Sequence, residues 1–124
     1  MKVFLDTSIL SDEKRDSTRG EMLRASATGL QLYLSAISHF QILWGYTTAK
    51  MSSTNYDRFL EVAGVEIAPL IKADAEDAAK MRPSKADLLD ALIASSAKRY
   101  GATVWTGDKD FLKFLKKSKV RVML

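Results

Sequence analysis

The sequence predicts an α/β domain with a mainly parallel sheet between helical layers. Three observations predict it. Short apolar runs alternate with segments of helical periodicity along the whole chain. The first run, Val3-Phe4-Leu5, is continuously apolar, as a strand buried on both faces requires. The chain has 124 residues, is 47% hydrophobic and contains only 6 Gly and 2 Pro, so it reads as one globular domain over 1–124. A chain of this size buries roughly two-thirds of its unfolded surface and needs no covalent staples.

The elements follow in order. Residues 2–7 form the first strand, and Asp6-Thr7-Ser8 supplies helix-capping side chains. A charged loop covers 11–16, and a helix over 20–28 is stopped by Gly29. The second strand spans 32–36. A helix over 38–50 carries Phe40, Ile42, Leu43, Trp44 and Tyr46 and is apolar nearly all round, which marks it as a place for an interface. Ser52-Ser53-Thr54-Asn55 breaks the chain before a helix over 56–63, a strand over 65–70 and a short helix over 73–81. Pro83-Ser84 turns the chain, and Ser84 caps a long helix over 85–100 that Gly101 closes. A strand over 102–106, the turn Gly107-Asp108-Lys109-Asp110, a helix over 111–117 and a strand over 120–124 complete the domain. There is no repeat, low-complexity tract or linker.

Composition excludes several classes. There is no Cys, which removes disulfides, thiol nucleophiles and Cys-based metal sites. A single His, His39, argues against His-rich metal sites and against a Ser-His-Asp enzyme. No apolar run approaches the ~18 residues of a membrane span, and the first residues do not read as a signal peptide, so a soluble cytoplasmic protein is expected. The net charge is +4, and Lys109, Lys113, Lys116, Lys117, Lys119 and Arg121 cluster around one acid, Asp110. Such a cluster is either a phosphate-tracking patch or a solvated face with a basic tail.

The chemistry must therefore rest on carboxylates, hydroxyls and bound ions. In open parallel sheets, ligands bind beyond the carboxyl ends of the strands. Asp6 ends the first strand, and Asp108 and Asp110 follow the strand over 102–106. Asp90 falls within an apolar helix face of Ala86, Leu89, Ile93, Ala94 and Ala97, where an unpaired carboxylate costs several kcal/mol. Each acid also has a plainer role. Asp6 can cap a helix, Asp108 and Asp110 can form Asx turns, and Asp90 can pair with a Lys or Arg. All of them can converge at one sheet edge, and converging carboxylates suit Mg²⁺ or Mn²⁺. Hard cations beside a basic surface suggest phosphodiester chemistry.

The chain resembles the PIN-domain family, in its VapC-type toxin ribonuclease group. Phe4-Leu5-Asp6-Thr7-Ser8 resembles the strand and first acid of that family. Ser38-His39-Phe40-Gln41-Ile42-Leu43-Trp44-Gly45 resembles a second motif, normally built around a Glu four residues before a Gly. Leu89-Asp90-Ala91-Leu92-Ile93-Ala94 resembles the third and Thr106-Gly107-Asp108-Lys109-Asp110-Phe111 the fourth. The four motifs cover essentially the whole chain in the family's order.

The resemblance implies a PIN-like, Rossmann-like sandwich of a parallel sheet flanked by helices, with an acidic pocket for one or two Mg²⁺ or Mn²⁺ ions. It implies metal-dependent hydrolysis of RNA, with Asp6, Gln41, Asp90 and Asp108 at the catalytic positions. Asp6, Asp90 and Asp108 would hold metal; Asp110 would either join them or fix its turn. Thr7, Ser8 and Thr106 would orient the carboxylates by hydrogen bonds, and Lys109, Lys113 and Lys116 would meet RNA. A homodimer and an antitoxin partner are further implied, and no membrane.

One departure stands out. Gln41 occupies the Glu position, and no acid lies between Glu21 and Asp57 to replace it. Gln offers a neutral carbonyl oxygen and cannot act as a base. The chain is then a natural weakened or inactive member, an enzyme working with one well-held metal, or a nuclease in which Gln was introduced. Asp87, one helical turn before Asp90, either compensates or completes a capping box with Ser84. His39 reads as a hydrogen-bonded or partly exposed residue, and Trp44 and Tyr46 as core or interface residues. The alternatives to an RNase are a non-catalytic PIN domain binding RNA or a protein, and a signalling receiver domain. The latter lacks the second acid after the first strand and an Asp after the strand over 65–70. An Asp-x-Asp phosphatase fails because Ser8 stands at the second Asp.

Overall fold

Val3, Phe4 and Leu5 have no solvent exposure, because the strand they form lies at the centre of a sheet covered on both faces. The computed structural model describes residues 1–10 and 28–123. Its strands are β1 (Lys2–Leu5), β2 (Gln31–Ser35), β3 (Glu66–Ala68), β4 (Thr103–Thr106) and β5 (Val120–Val122). They form one five-stranded sheet in the order β3-β2-β1-β4-β5. Every pairing is parallel, with Val3 opposite Leu32 on one side and Thr103 on the other.

Strand alternation divides the core in two. Val3 and Leu5 point to one face, with Leu32, Leu34 and Trp105, under α1 (Ala36–Thr48) and α2 (Thr54–Ala63). Tyr56, Phe59 and Ala63 of α2 close that face, helped by the half-buried Ile42, Leu43 and Tyr46 of α1. Phe4 points to the other face, with Tyr33, Ala68 and Val104. There Ile93, Ala94 and Ala97 of α4 (Leu88–Tyr100) pack with Phe111. The remaining helix, α3 (Lys72–Lys80), is tied to α4 by a buried Asp74 carboxylate. Asp74 accepts hydrogen bonds from Arg99 Nε at 2.8 Å, from Ser96 Oγ at 2.9 Å and from the Ile71 N–H at 3.1 Å.

The α/β class and parallel sheet stand as expected, while several boundaries move for local reasons. The helix expected over 20–28 lies outside the described residues except for Thr28, which is in a turn. The helix expected from Ser38 starts at Ala36, because the Ser35 hydroxyl accepts the Ile37 N–H at 3.1 Å and caps it. β3 ends at Ala68, one residue before Pro69, which has no N–H to extend the ladder.

The long helix expected over 85–100 splits into a tight 3₁₀ turn, Lys85–Asp87, and α4. Its buried face is Ala91, Ile93, Ala94 and Ala97, whereas Ala86 and Leu89 are exposed. Gly101 ends α4 at φ +66°, where a side chain would strain the backbone. The helix expected over 111–117 is replaced by two 3₁₀ turns, Asp110–Lys113 and Lys117–Lys119. Lys113, Lys116 and Lys117 would crowd like charges on a longer helix, and the chain must reach β5 at Val120.

α1 does not read as a core helix. Ser38 is its only fully buried residue, while Phe40 is 65% and Trp44 61% exposed. His39 Nδ1 lies 2.6 Å from the Tyr56 hydroxyl, which burial pushes above the ordinary tyrosine range.

Candidate metal centre

The strand order reverses direction between β1 and β4, and ligands bind at such a switch beyond the strands' carboxyl ends. Asp6 leaves β1 at this point, and Gly107-Asp108 leaves β4 beside it. The two strand ends are laced together. The Asp6 N–H donates to Trp105 O at 2.9 Å, and Asp6 Oδ2 accepts from Ser8 Oγ at 2.6 Å and Thr106 Oγ1 at 2.9 Å. Ser8 Oγ accepts the Gly107 N–H at 2.8 Å, and Thr106 Oγ1 accepts the Asp108 N–H at 3.0 Å. Two hydroxyls thus hold a carboxylate that is only 6% exposed and orient two backbone amides around it. Asp6 makes no side-chain cap, so its capping role does not materialise. Thr7 instead lines a neighbouring groove.

Asp90 comes from the first turn of α4 and is half-buried. Burial, and then the charges of Asp6, Asp108, Asp110 and Asp87, push its carboxyl up to about 6. Asp87 ends the preceding 3₁₀ turn, 8% exposed. The expected capping box is not formed. The Ser84 hydroxyl donates to Asp87 Oδ2 at 3.0 Å, instead of accepting from the helix. The Lys113 ammonium donates to that same oxygen at 3.1 Å and lies 3.3 Å from Asp110 Oδ1. Lys113, and then Ser84, hold the Asp87 carboxyl below the usual range.

The expected ligand set was Asp6, Asp90, Asp108 and Asp110. Among the described residues, the carboxylates that bring one oxygen each within 4.8 Å of one another are Asp87, Asp90 and Asp110. Asp108 is exposed, and its Oδ1 accepts the Asp110 N–H at 2.9 Å in an Asx turn. Asp6 and Asp108 still border the cluster, since both act on Asp90 by charge. Of the two roles open to Asp87 in the sequence, the structure shows it among the acids and not in a capping box. Its one-turn spacing before Asp90 was the signal that put it on the same side of the helix start.

Gln41 is half-buried on α1 and lines a groove of about 280 Å³ with Thr7, Leu10, Ile42 and Tyr46. Among the described residues no acid lines that groove. Lys109 and Lys116 are exposed on the segment after β4, whereas Lys113 is engaged with the acids.

The donor set fits a hard divalent cation. It consists of carboxylate oxygens from three residues, without sulfur or imidazole, and the mutual repulsion that raises Asp90 is what a 2+ ion relieves.

Comparison with known proteins adds the lineage. The family model of the PIN domain matches residues 3–117. A search of curated proteins gives no match. Among solved structures, the chain is similar to VapBC2 from Rickettsia felis bound to a DNA fragment from their promoter, with TM-score 0.78 and 19% identity over 100% of both chains. A toxin–antitoxin complex from Klebsiella pneumoniae gives TM-score 0.69 and 17% identity, covering 97% of this chain and 96% of that one. FitAcB from Neisseria gonorrhoeae gives TM-score 0.64 and 25% identity, covering 98% and 96%.

Proposed function

Since the chain belongs to the PIN-domain family, we propose that it is a VapC-type toxin, a metal-dependent endoribonuclease that hydrolyses RNA phosphodiester bonds with Mg²⁺ or Mn²⁺. The observation that carries this reading is the gathering of carboxylates around Asp90 at the sheet's switch point. Asp87, Asp90 and Asp110 would hold the ion, with Asp6 and Asp108 adding negative charge beside it. A bound Mg²⁺ or Mn²⁺ supplies a lowered water pKa and offsets charge on the scissile phosphate. Ser8 and Thr106 fix the Asp6 carboxylate, so it need not reorganise when charge arrives. Lys109 and Lys116 would pair with RNA phosphates along the approach. Neither a protein nucleophile nor the ribose 2′-hydroxyl is needed.

An antitoxin partner is in keeping with the toxin–antitoxin complex among the structural relatives. The exposed apolar side chains of α1 offer area for an antitoxin or for a homodimer contact. Among the described residues no helix is long and apolar enough to cross a membrane, and an RNase of this kind would act in the cytoplasm. A second reading, a non-catalytic PIN domain that binds RNA or a protein, draws on one observation: Gln41 brings no charge to its groove.

RNA cleavage by this chain, by Gln41→Glu and by Asp6→Asn/Gln41→Glu, in Mg²⁺, Mn²⁺ and EDTA, separates the readings. Cleavage by the chain itself is expected with metal alone, with Gln41→Glu faster by roughly 10²-fold if that carboxylate serves as a base. Cleavage by Gln41→Glu only means a nuclease disarmed at one position. No metal-dependent cleavage by either, with RNA still bound, leaves the binding module.

A further inference from the structure

Lys113 belongs to the basic cluster, yet its ammonium is turned inward. It bridges Asp87 Oδ2 at 3.1 Å and Asp110 Oδ1 at 3.3 Å, the two carboxylates that converge with Asp90. We propose that the Lys113 ammonium is a built-in counterion of the acidic pocket, which a divalent cation must displace from Asp87 and Asp110 in order to bind. The proposal rests on the metal-dependent reading above and deepens it by naming a residue that sets metal affinity.

The geometry argues for competition rather than coexistence. A Mg²⁺ ion draws its oxygens to ~2.0–2.1 Å, and an ammonium bridging the Asp87 and Asp110 carboxylates holds them by charge in the place that the ion would take. Asp87 Oδ2 already receives the Ser84 hydroxyl, so this oxygen has little capacity for an ammonium and a metal together. The local fold delivers Lys113 to this place. Phe111 is buried in the core, and the 3₁₀ turn Asp110–Lys113 puts the lysine stem three residues from Asp110 and over Asp87.

The same geometry makes the displacement inexpensive. The Lys113 side chain is 54% exposed, and its stem is long and flexible, so the ammonium can swing into water. Half-exposed ion pairs contribute little each, so the lysine should weaken metal binding several-fold, not abolish it. Its benefit is to an ion-free pocket. There it offsets part of the repulsion among Asp87, Asp90 and Asp110.

Calorimetric titration of the full chain with Mn²⁺ tests this, without reference to cleavage. The variants are Lys113→Met, which keeps the stem without the charge, Lys113→Gln as a second neutral head, and Lys113→Arg, with Asp90→Asn as the pocket control. Lys113→Met and Lys113→Gln should bind Mn²⁺ about five- to tenfold more tightly than the parent, and Lys113→Arg within about twofold of it. The neutral variants should also melt lower than the parent in EDTA and gain more in Tm on adding Mn²⁺. Unchanged or weaker Mn²⁺ binding by both neutral variants, with the parent binding and Asp90→Asn not, overturns the role of Lys113 and leaves the metal site standing. No Mn²⁺ binding by parent or variants overturns the metal site and this proposal with it.

Discussion

Asp90 is opposed by burial first and then by four neighbouring carboxylates, so its charged form is held in place at a cost to folding. The direction of the pH effect follows. With its carboxyl at about 6 in the fold and near the ordinary ~3.9 when unfolded, the native state holds the proton longer. This residue therefore lowers stability as pH rises from about 4 to about 6, and the penalty is complete above that window. In EDTA at pH 7, Asp90→Asn should be the more stable protein by about 1 kcal/mol, the amount left after allowing for solvent screening. The advantage should vanish near pH 4 in a series of urea melts. A parent that is equally or more stable at pH 7 would contradict the crowding. At this scale, sequence reading reached Asp6, Asp90, Asp108 and Asp110 through their places at strand ends and on a helix face. Asp87 is less legible, because Ser84 three residues before it also satisfies a local capping pattern. The tertiary partner that redirects Asp87, Lys113, lies 26 residues away and leaves no trace in local spacing.

Side-chain hydrogen bonds join the ends of β1 and β4. Ser8 serves as donor to Asp6 and acceptor for Gly107, so one hydroxyl joins the two strand ends. Ser8→Ala removes both bonds and leaves a buried carboxylate with one donor fewer. It should cost about 1–3 kcal/mol in a denaturant titration, with Ser8→Thr recovering much of it. A cost below a few tenths of a kcal/mol would mean that water replaces the hydroxyl freely. The strands β1 to β5 and the helices α1 to α4 were legible because apolar runs and capping residues are local signals. The segment after Asp110 was not. Its Lys-rich stretch has helix-forming residues, but repulsion among them and the short distance to β5 favour 3₁₀ turns. α1 was legible as apolar, yet sequence alone did not say that Phe40 and Trp44 face outward while Ile42, Leu43 and Tyr46 face the core.

Across the whole molecule, α3 is held to α4 by one buried charge. Burial pushes the Asp74 carboxyl up, but the bonds from Arg99, Ile71 and Ser96 outweigh it and keep it below the usual range. That stability is present at neutral pH and is lost as pH falls below about 4. Arg99→Ala would leave the carboxylate short of its main donor, with a cost of roughly 2–4 kcal/mol at pH 7. Thermal unfolding at pH 7 and pH 3 checks this: the difference from the parent should shrink in acid, and an equal loss at both would point to packing of Arg99 on Tyr100 instead, where the guanidinium lies 4.8 Å from the ring. The fold class was legible at this scale because a parallel sheet covered on both faces writes itself as continuous apolar strands. The strand order was not, since nothing local tells β1 that its neighbours will be β2 and β4.

That strand order has a consequence for synthesis. The central strand, β1, is made before both of its neighbours, and one of them, β4, begins only at Thr103. Asp6 waits for Thr106, one hundred residues later, before its carboxylate is clamped. A growing chain that has emerged only as far as α4 already contains Asp6, Asp87 and Asp90 but has neither β4 nor the turn bearing Asp108 and Asp110. At ~5–20 residues per second, the ribosome goes from the end of α4 to Asp110 within about two seconds. If the pocket cuts RNA, a nascent chain that has not yet made β4 and the turn bearing Asp110 lacks part of its acidic cluster, and cutting waits until the segment after α4 has met β1.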